Sequence, residues 1–220
     1  MAKYSIFTVT EPKSPIAEAY RTLRTNLRFS NVDNQLKTVL FTSAGPNEGK
    51  SSTVSNLAVA ISQAGKKVLI IDADLRKPTQ HQIFSLSNSK GLSTSLVTNQ
   101  SGLQQIQRFK EGYPDLLTSG PIPPNPSELL GSQRMKQFIK EAASFYDIVL
   151  VDTPPTLAVA DASILAQVVD GVVIVVGSGE VSRDYVQSAK EQLDKVGANI
   201  IGVVLNKVQM NHKEQYYYYY

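Results

Sequence analysis

The chain of 220 residues contains no cysteine. It therefore cannot form disulfides, bind zinc through thiolates or hold an iron–sulfur cluster on its own cysteines. Histidine is scarce as well, since only His81 and His212 are present, and their spacing is not that of a metal-binding pair. We interpret both as ordinary surface histidines. The lack of cysteine is compatible with a cytoplasmic location without establishing one.

Long apolar runs and a strong excess of charge are also missing. No segment approaches the roughly 18–20 apolar residues of a membrane span, and the N-terminus lacks a hydrophobic stretch of signal-peptide length. We therefore expect the chain to stay outside the membrane and to reach it only through a partner. The 22 basic and 19 acidic residues give a net charge of +3, which is too small to predict a nucleic-acid partner.

Apolar segments alternate with helical patterns along most of the chain, and several of these segments are apolar at every position. Such strands are typical of a parallel sheet that is covered by helices on both faces. The pattern predicts an α/β fold with a mostly parallel sheet, formed by a single domain over residues 1–215. The sequence AGPNEGKSS at 44–52, between a strand and a helix, makes the predicted fold that of a P-loop NTPase. The polar segment 85–112 and the proline-rich segment 121–132 are expected to be surface excursions. Strands are predicted over 37–43, 67–72, 114–118, 146–152, 171–177 and 200–206, and helices over 15–29, 50–64, 127–143, 161–167 and 182–197.

A phosphate-binding loop is predicted at residues 44–52, where AGPNEGKSS lies between a strand and a helix. The backbone amides of such a loop converge on phosphate oxygens at the N-terminus of the helix. We expect Lys50 to reach the β- and γ-phosphates and the Ser51 hydroxyl to bind Mg²⁺, while Gly49 lets the backbone approach closely. An ordinary strand–helix turn is the alternative. The predicted nucleotide-contacting residues are Gly45, Pro46, Asn47, Glu48, Gly49, Lys50, Ser51 and Ser52.

Three aspartates are predicted to lie beside this loop. Asp72 and Asp74 come at the end of one apolar strand, and Asp152 ends another. Ligands bind outside the carboxyl ends of strands in sheets of this kind. A buried carboxylate without a partner is costly, and hydrated Mg²⁺ is the natural compensation. Hydrogen bonds to loop amides, or pairing with Arg76, are the alternatives.

The identity of the nucleotide rests on the end of the last predicted strand. GTPases often read guanine with an N-K-x-D motif, whereas here Asn206 begins N-K-V-Q and Gln209 replaces the aspartate. The guanine-specific element is therefore missing. We expect ATP, with Asn206 in contact with adenine.

The chain ends in five consecutive tyrosines: Tyr216, Tyr217, Tyr218, Tyr219 and Tyr220. Five adjacent rings at a terminus cannot all be buried, and termini are usually mobile. Hydroxyl-bearing side chains that follow a nucleotide-binding domain indicate a protein that phosphorylates its own tail or that of a neighbour. A merely adhesive tail, or a remnant of an expression vector, is the alternative.

The phosphate loop, the DADLR segment at 72–76 and the DTPP segment at 152–155 together resemble the bacterial tyrosine kinases (BY-kinases) of polysaccharide export. The resemblance extends from residues 11–26 through 120–132 to the tyrosine tail. Without a fused membrane domain, the chain is similar to the split, cytoplasmic form of Gram-positive bacteria. The resemblance implies an ATP- and Mg²⁺-dependent protein-tyrosine kinase. It further implies autophosphorylation of the tail between subunits and regulation of capsular or extracellular polysaccharide synthesis and export.

The resemblance also implies a role for each candidate residue. Lys50 and Ser51 hold phosphates and Mg²⁺, and Asp72 orients or deprotonates the incoming tyrosine hydroxyl. Asp74 and Asp152 act on Mg²⁺, through water. The tyrosines of the tail are the phosphate acceptors.

An assembly motif and several partners are implied in the same way. Glu18, Arg21 and Arg24 match the family's E-x-x-R-x-x-R pattern, which mediates a homo-oligomeric ring, an octamer by resemblance, in which one subunit's tail enters the next subunit's site. Residues at three-residue steps share one side of a helix, so a solvated face with internal salt bridges is the alternative. The implied partners are a membrane-embedded polysaccharide co-polymerase, whose cytoplasmic segment activates the kinase and recruits it to the inner face of the membrane, a cognate tyrosine phosphatase and protein substrates.

Two other functions fit parts of the sequence. One is a switch or positioning ATPase related to the chromosome-partitioning and septum-site ATPases. Gly45 stands where those ATPases have a signature lysine, and residues 207–215 do not form the basic amphipathic helix of a membrane-surface ATPase. The other is a scaffold with a vestigial nucleotide site, against which the complete set of Lys50 and the three aspartates argues.

Overall fold

The computed structural model describes residues 5–30, 36–98, 102–109 and 111–209. Within these ranges all strands belong to one parallel sheet with the order β3-β2-β4-β1-β5-β6. Each predicted strand is present, and no boundary differs by more than two residues. The strands are β1 Thr38–Ser43, β2 Val68–Asp72, β3 Asp115–Leu117, β4 Ile148–Asp152, β5 Gly171–Gly177 and β6 Ile200–Asn206.

Helices cover both faces of the sheet, as the apolar strands predict. The α-helices of the described residues are α1 Phe7–Thr10, α2 Pro15–Phe29, α3 Lys50–Ser62, α4 Gln80–Ile83, α5 Leu92–Val97, α6 Pro126–Leu130, α7 Gln133–Phe145, α8 Asp161–Ala166 and α9 Arg183–Asp194, and Gly102–Gln105 form a 3-10 helix.

Two apolar cores result, one on each face of the sheet. Along β1, Leu40 packs into the core beneath α5 to α9, whereas Val39 and Phe41 pack into the core beneath α2 and α3. All three side chains are fully buried, because the alternation of a strand sends neighbouring side chains to opposite faces. None of the described helices is long and apolar enough to cross a membrane.

Two of the predicted helices had different outcomes. The helix over 15–29 is confirmed, and Ser14 caps it by accepting a hydrogen bond from the Ala17 amide. The single helix predicted over 127–143 is wrong, because it is divided at Gly131 into α6 and α7. The Ser132 side chain begins α7 by accepting from the Met135 amide, and a new N-cap of this kind starts a separate helix.

The segment 85–112 is more than a surface excursion. It contains α5, whose Leu92 and Leu96 are buried in the core. Ser93 and Ser95, which made the segment look polar, are also buried, and their hydroxyls donate to the carbonyls of Pro121 and Gly91. Local hydrogen bonds therefore hide polar side chains in a core-facing helix.

Candidate active site

The phosphate loop connects β1 to α3, as predicted. Gly49 has a φ of 89° and directly precedes Lys50, the first residue of α3. A Cβ atom at Gly49 would lie 1.9 Å from Asn206 Nδ2, so both the left-handed backbone and the close neighbour require glycine. The Lys50 side chain is largely buried at the start of the helix, where the N-terminus attracts phosphate.

The Glu48 carboxylate holds the loop from inside. It accepts hydrogen bonds from the Gly45 amide at 2.6 Å and from the Gly177 amide at 3.0 Å, and Glu48 is only 1% exposed. The carboxylate therefore ties the start of the phosphate loop to the end of β5. The Glu48 carboxylate is thus engaged within the protein, and the predicted nucleotide contact of this loop residue stays a prediction.

The end of β6 closes over the same loop. Asn206 Nδ2 donates to the Glu48 carbonyl at 3.0 Å, and Lys207 Nζ donates to the Asn47 carbonyl at 2.7 Å. Lys207 also forms a salt bridge with Glu180 at 2.7 Å. Two successive loop carbonyls are thus fixed from β6. The amide nitrogen of Asn206 serves the loop, and its contact with adenine stays a prediction.

Asp72 and Asp152 end two neighbouring strands and face each other across the β2–β4 ladder. Both are fully buried. Asp72 Oδ2 accepts from the Thr79 and Gln80 amides at 3.1 and 3.0 Å, and Asp152 Oδ2 accepts from Gln80 Nε2 at 2.8 Å. Among the residues that the structure describes, Oδ1 of each aspartate has no hydrogen-bond partner. The site therefore presents two unpartnered carboxylate oxygens.

Burial dominates the electrostatics of this pair. It raises the pKa of Asp72 well above its ordinary value, and the neighbouring charge of Asp152 raises it further. Burial also raises the pKa of Asp152, while the charge of Lys50 and a hydrogen bond from Ser51 act in the opposite direction. These carboxylates would ionise far more readily beside a cation.

Asp74 lies in the loop after β2. Its Oδ1 accepts from the Lys77 amide at 2.9 Å and from the Arg76 amide at 3.3 Å. The guanidinium of Arg76 pairs with the fully buried Asp161, with Nε 2.9 Å from Oδ2. Of the two alternatives to a metal, loop amides are thus observed for Asp72 and Asp74, and the Arg76 salt bridge is made elsewhere.

The site fits a nucleotide-bound magnesium ion better than a metal held by protein alone. Among the described residues, no group of three or more His, Cys, Asp or Glu side chains could hold a metal ion. Mg²⁺ keeps several waters and often takes one or two carboxylates together with substrate phosphates. The unpartnered oxygen of Asp152 and the hydroxyl of the neighbouring Ser51 would supply oxygen ligands of that kind.

Three residues near the site, Gln80, Asp161 and Ser127, were not predicted from the sequence. Gln80 joins Asp152 to the phosphate loop, but a single glutamine in KPTQHQ carries no recognisable signal. Asp161 and Ser127 both contact Arg76, with the Ser127 hydroxyl 2.6 Å from Asp161 Oδ1. Only the arginine of DADLR could have indicated that a buried acid lies nearby.

The proposed assembly motif makes contacts within its own chain. Arg21 pairs with Glu18 at 2.8 Å and donates to the Pro12 carbonyl at 2.6 Å. Arg24 donates to the Ala60 carbonyl of α3 at 2.9 Å. The alternative of an internal salt bridge is therefore observed for Glu18 and Arg21, and the role of all three residues in a ring stays a prediction.

The remaining predicted residues fall in different places. His81 is half-buried, burial lowers its pKa, and its Nδ1 is buried without a partner among the described residues. It is therefore not an ordinary surface histidine. His212 and Tyr216 to Tyr220 lie outside the described residues.

Comparison with known proteins identifies the family. The model described as "ParA: NUBPL iron-transfer P-loop NTPase" matches residues 36–219. The tyrosine-protein kinase YwqD of Bacillus subtilis (strain 168) is 50% identical over 215 residues, which cover 98% of this chain and 91% of YwqD. The chain belongs to the bacterial tyrosine kinases. Within the wider P-loop family, iron transfer on cysteine ligands is excluded, because the chain has no cysteine.

Two solved structures have the same fold. The kinase domain of Escherichia coli tyrosine kinase ETK matches with a TM-score of 0.88 and 36% identity, covering 96% of this chain and 85% of that domain. The chimerical protein CapA2B2 matches with a TM-score of 0.88 and 41% identity, covering 93% of this chain and 90% of the chimera. The phosphate loop and DADLR thus lie in the framework of a tyrosine kinase.

Proposed function

We propose that this BY-kinase transfers the γ-phosphate of ATP to the tyrosines at 216–220 of a neighbouring copy. The observation that carries the proposal is the pair of buried carboxylates, each with an unpartnered oxygen, at the strand ends beside Lys50 and Ser51. Phosphoryl transfer needs charge neutralisation and positioning more than covalent chemistry from the protein. The proposed kinase domain is residues 1–215.

The proposed division of labour follows the chemistry of each side chain. Loop amides and Lys50 bind the phosphates, and Ser51, Asp74 and Asp152 hold Mg²⁺, the aspartates through water. These residues would thereby place a cation where negative charge develops on the phosphates. Asp72 accepts the proton of the tyrosine hydroxyl. The phenolic oxygen then bonds to the γ-phosphorus as the bond to the β–γ bridging oxygen breaks, and ADP leaves.

The environment of Asp72 suits a proton acceptor. Burial raises its pKa from the usual carboxyl range, and a general base works best when its pKa lies near the operating pH. Its Oδ1 is unpartnered, so a lone pair is available to an incoming hydroxyl. Asp152 is the better candidate for the metal, because the charge of Lys50 and a hydrogen bond from Ser51 oppose the effect of burial on its pKa and so favour its ionised form.

The relatives support a proposal for regulation and location. CapA2B2 is a chimera, and by analogy we propose that a membrane-embedded polysaccharide co-polymerase activates this kinase through a cytoplasmic segment and recruits it to the inner face of the membrane. The output is control of capsular or extracellular polysaccharide synthesis, and a cognate phosphatase resets the tail. In a ring held through Glu18, Arg21 and Arg24, each tail would enter the adjacent site.

A mixing experiment tests transfer between subunits. A Lys50→Met chain with its natural tail is incubated with Mg-ATP and a chain whose five tail tyrosines are replaced by phenylalanine, with the activator segment present. We expect the Lys50→Met chain to gain phosphate on its tail only in the mixture. If wild-type chains are phosphorylated while the Lys50→Met chain in the mixture is not, transfer occurs within one subunit. ATP hydrolysis without phosphotyrosine in any sample would favour a switch ATPase.

A further inference from the structure

Gln80 is fully buried. It contacts the phosphate loop and the two aspartates at the strand ends, Asp72 and Asp152. It is the first residue of α4 and follows Asp72 by eight positions. A buried side-chain amide is costly unless its polar atoms are hydrogen-bonded. Its partners therefore show what the residue does.

Every polar atom of the Gln80 side chain is used. Nε2 donates to Asp152 Oδ2 at 2.8 Å and to the Ser51 carbonyl at 3.1 Å, and Oε1 lies 2.7 Å from the donating Ser55 hydroxyl. The reversed amide would set its oxygen against two acceptors, so this network fixes the orientation. The backbone amide donates to Asp72 Oδ2 at 3.0 Å. One residue thus binds the phosphate loop and both strand-end carboxylates.

The same contacts hold only one carboxylate oxygen of each aspartate. Gln80 donates to Oδ2 of both Asp72 and Asp152, and their Oδ1 atoms have no partner among the residues described. A carboxylate held by one oxygen cannot rotate without losing a buried hydrogen bond. Its free oxygen therefore stays available in one direction.

We propose that Gln80 is a positioning residue that fixes Asp152 and Asp72 for Mg²⁺ and the incoming tyrosine. The inference rests on the roles proposed above for those aspartates. Gln80 itself touches neither substrate nor metal in this scheme. Changing a partner that orients a metal-binding side chain typically weakens metal affinity by roughly 10–100-fold.

The test measures nucleotide affinity with and without Mg²⁺, using full-length protein and a fluorescent ATP analogue. Gln80→Met removes both side-chain donations. We expect analogue binding in EDTA to remain near the wild-type value, and the apparent affinity for Mg²⁺ to fall roughly tenfold or more. Gln80→Leu also removes both donations without adding a charge, and it should show the same selective loss. It is the second variant if Gln80→Met does not fold.

Controls separate this role from general damage. Gln82 lies on the same short helix and is exposed, so Gln82→Met should leave both affinities unchanged. Ser55→Ala removes the contacts of that hydroxyl with Gln80 Oε1 and with the Ser51 carbonyl, and its effect on Mg²⁺ affinity should be smaller than that of Gln80→Met. A folded Gln80→Met or Gln80→Leu protein with wild-type Mg²⁺ affinity would overturn the inference. Equal losses with and without Mg²⁺ would make the role purely structural.

One further variant distinguishes the two levels of the proposal. If Asp152→Asn weakens Mg²⁺ binding and the Gln80 variants do not, the Gln80 inference alone fails. If Asp152→Asn also leaves Mg²⁺ binding unchanged, the assignment of the metal to Asp152 is wrong.

Discussion

Replacing Glu48 with glutamine should remove one of the two hydrogen bonds by which this side chain holds the phosphate loop, with almost no change in the shape of the side chain. One carboxylate oxygen would become an amide nitrogen that faces the buried amide of Gly45 or Gly177. A hydrogen bond to a charged group contributes about 1.5–3 kcal/mol, and a buried donor left without a partner costs about 1–3 kcal/mol. Because these figures describe overlapping effects, we expect a net loss of about 2–3 kcal/mol.

Thermal and urea unfolding of the nucleotide-free protein measure this loss. For a domain of this size, 1 kcal/mol lowers the Tm by about 2–4 °C, so Glu48→Gln should lower it by about 5–10 °C. Glu180→Gln is the matched control, because Glu180 is 43% exposed in a surface salt bridge with Lys207 and such pairs contribute about 0–1 kcal/mol. Equal Tm values for the two variants, with weaker ATP binding in Glu48→Gln alone, would refute the structural role and make Glu48 a direct nucleotide contact.

Three further predictions concern charge. Burial raises the pKa of Asp72, so the folded protein retains a proton that the unfolded chain releases. As pH rises from about 4 through the raised pKa, Asp72 therefore lowers the free energy of unfolding of the nucleotide-free protein by an increasing amount. Asp72→Asn removes the proposed proton acceptor and should abolish phosphorylation. The same variant should raise the free energy of unfolding at neutral pH by about 1 kcal/mol. A destabilised variant in denaturation measured across pH would contradict this. Arg76→Met leaves the buried Asp161 unpaired and should cost about 2–4 kcal/mol in urea unfolding, whereas an unchanged midpoint would show that the pair contributes nothing. Arg21→Ala should lower the mass measured by light scattering from that of the ring to that of the monomer. Complete phosphorylation of wild-type tails should do the same, because each phosphate adds about −1.5 to −2 charges. An unchanged mass in either case would count against the proposed ring.

The strands and the phosphate loop could be predicted because their signals are local. An apolar run such as that of β5 reports burial on both faces, and the loop's glycine and lysine stand at fixed spacing from a strand and a helix. The positions of Asp72 and Asp152 followed from one rule of topology, since the ends of parallel strands meet at one edge of the sheet.

What escaped prediction depends on contacts between distant residues. Gln80 looks like any polar residue in a loop until α4 brings it to the ends of β2 and β4, where it contacts Asp72 and Asp152. The internal role of the Glu48 carboxylate had no sequence signal, because its partner Gly177 lies 129 residues away. The polar appearance of α5 concealed a core helix, because its serines find carbonyl partners only in the folded chain.

The intact mass of the purified protein, after phosphatase treatment and again after Mg-ATP with the activator segment, tests the central claim most directly. The account predicts steps of one phosphate each, mapped by peptide sequencing to residues 216–220 and absent from both Lys50→Met and Asp72→Asn chains. An unchanged mass in wild-type protein that still hydrolyses ATP, or phosphotyrosine that persists in the Lys50→Met chain alone, would contradict it.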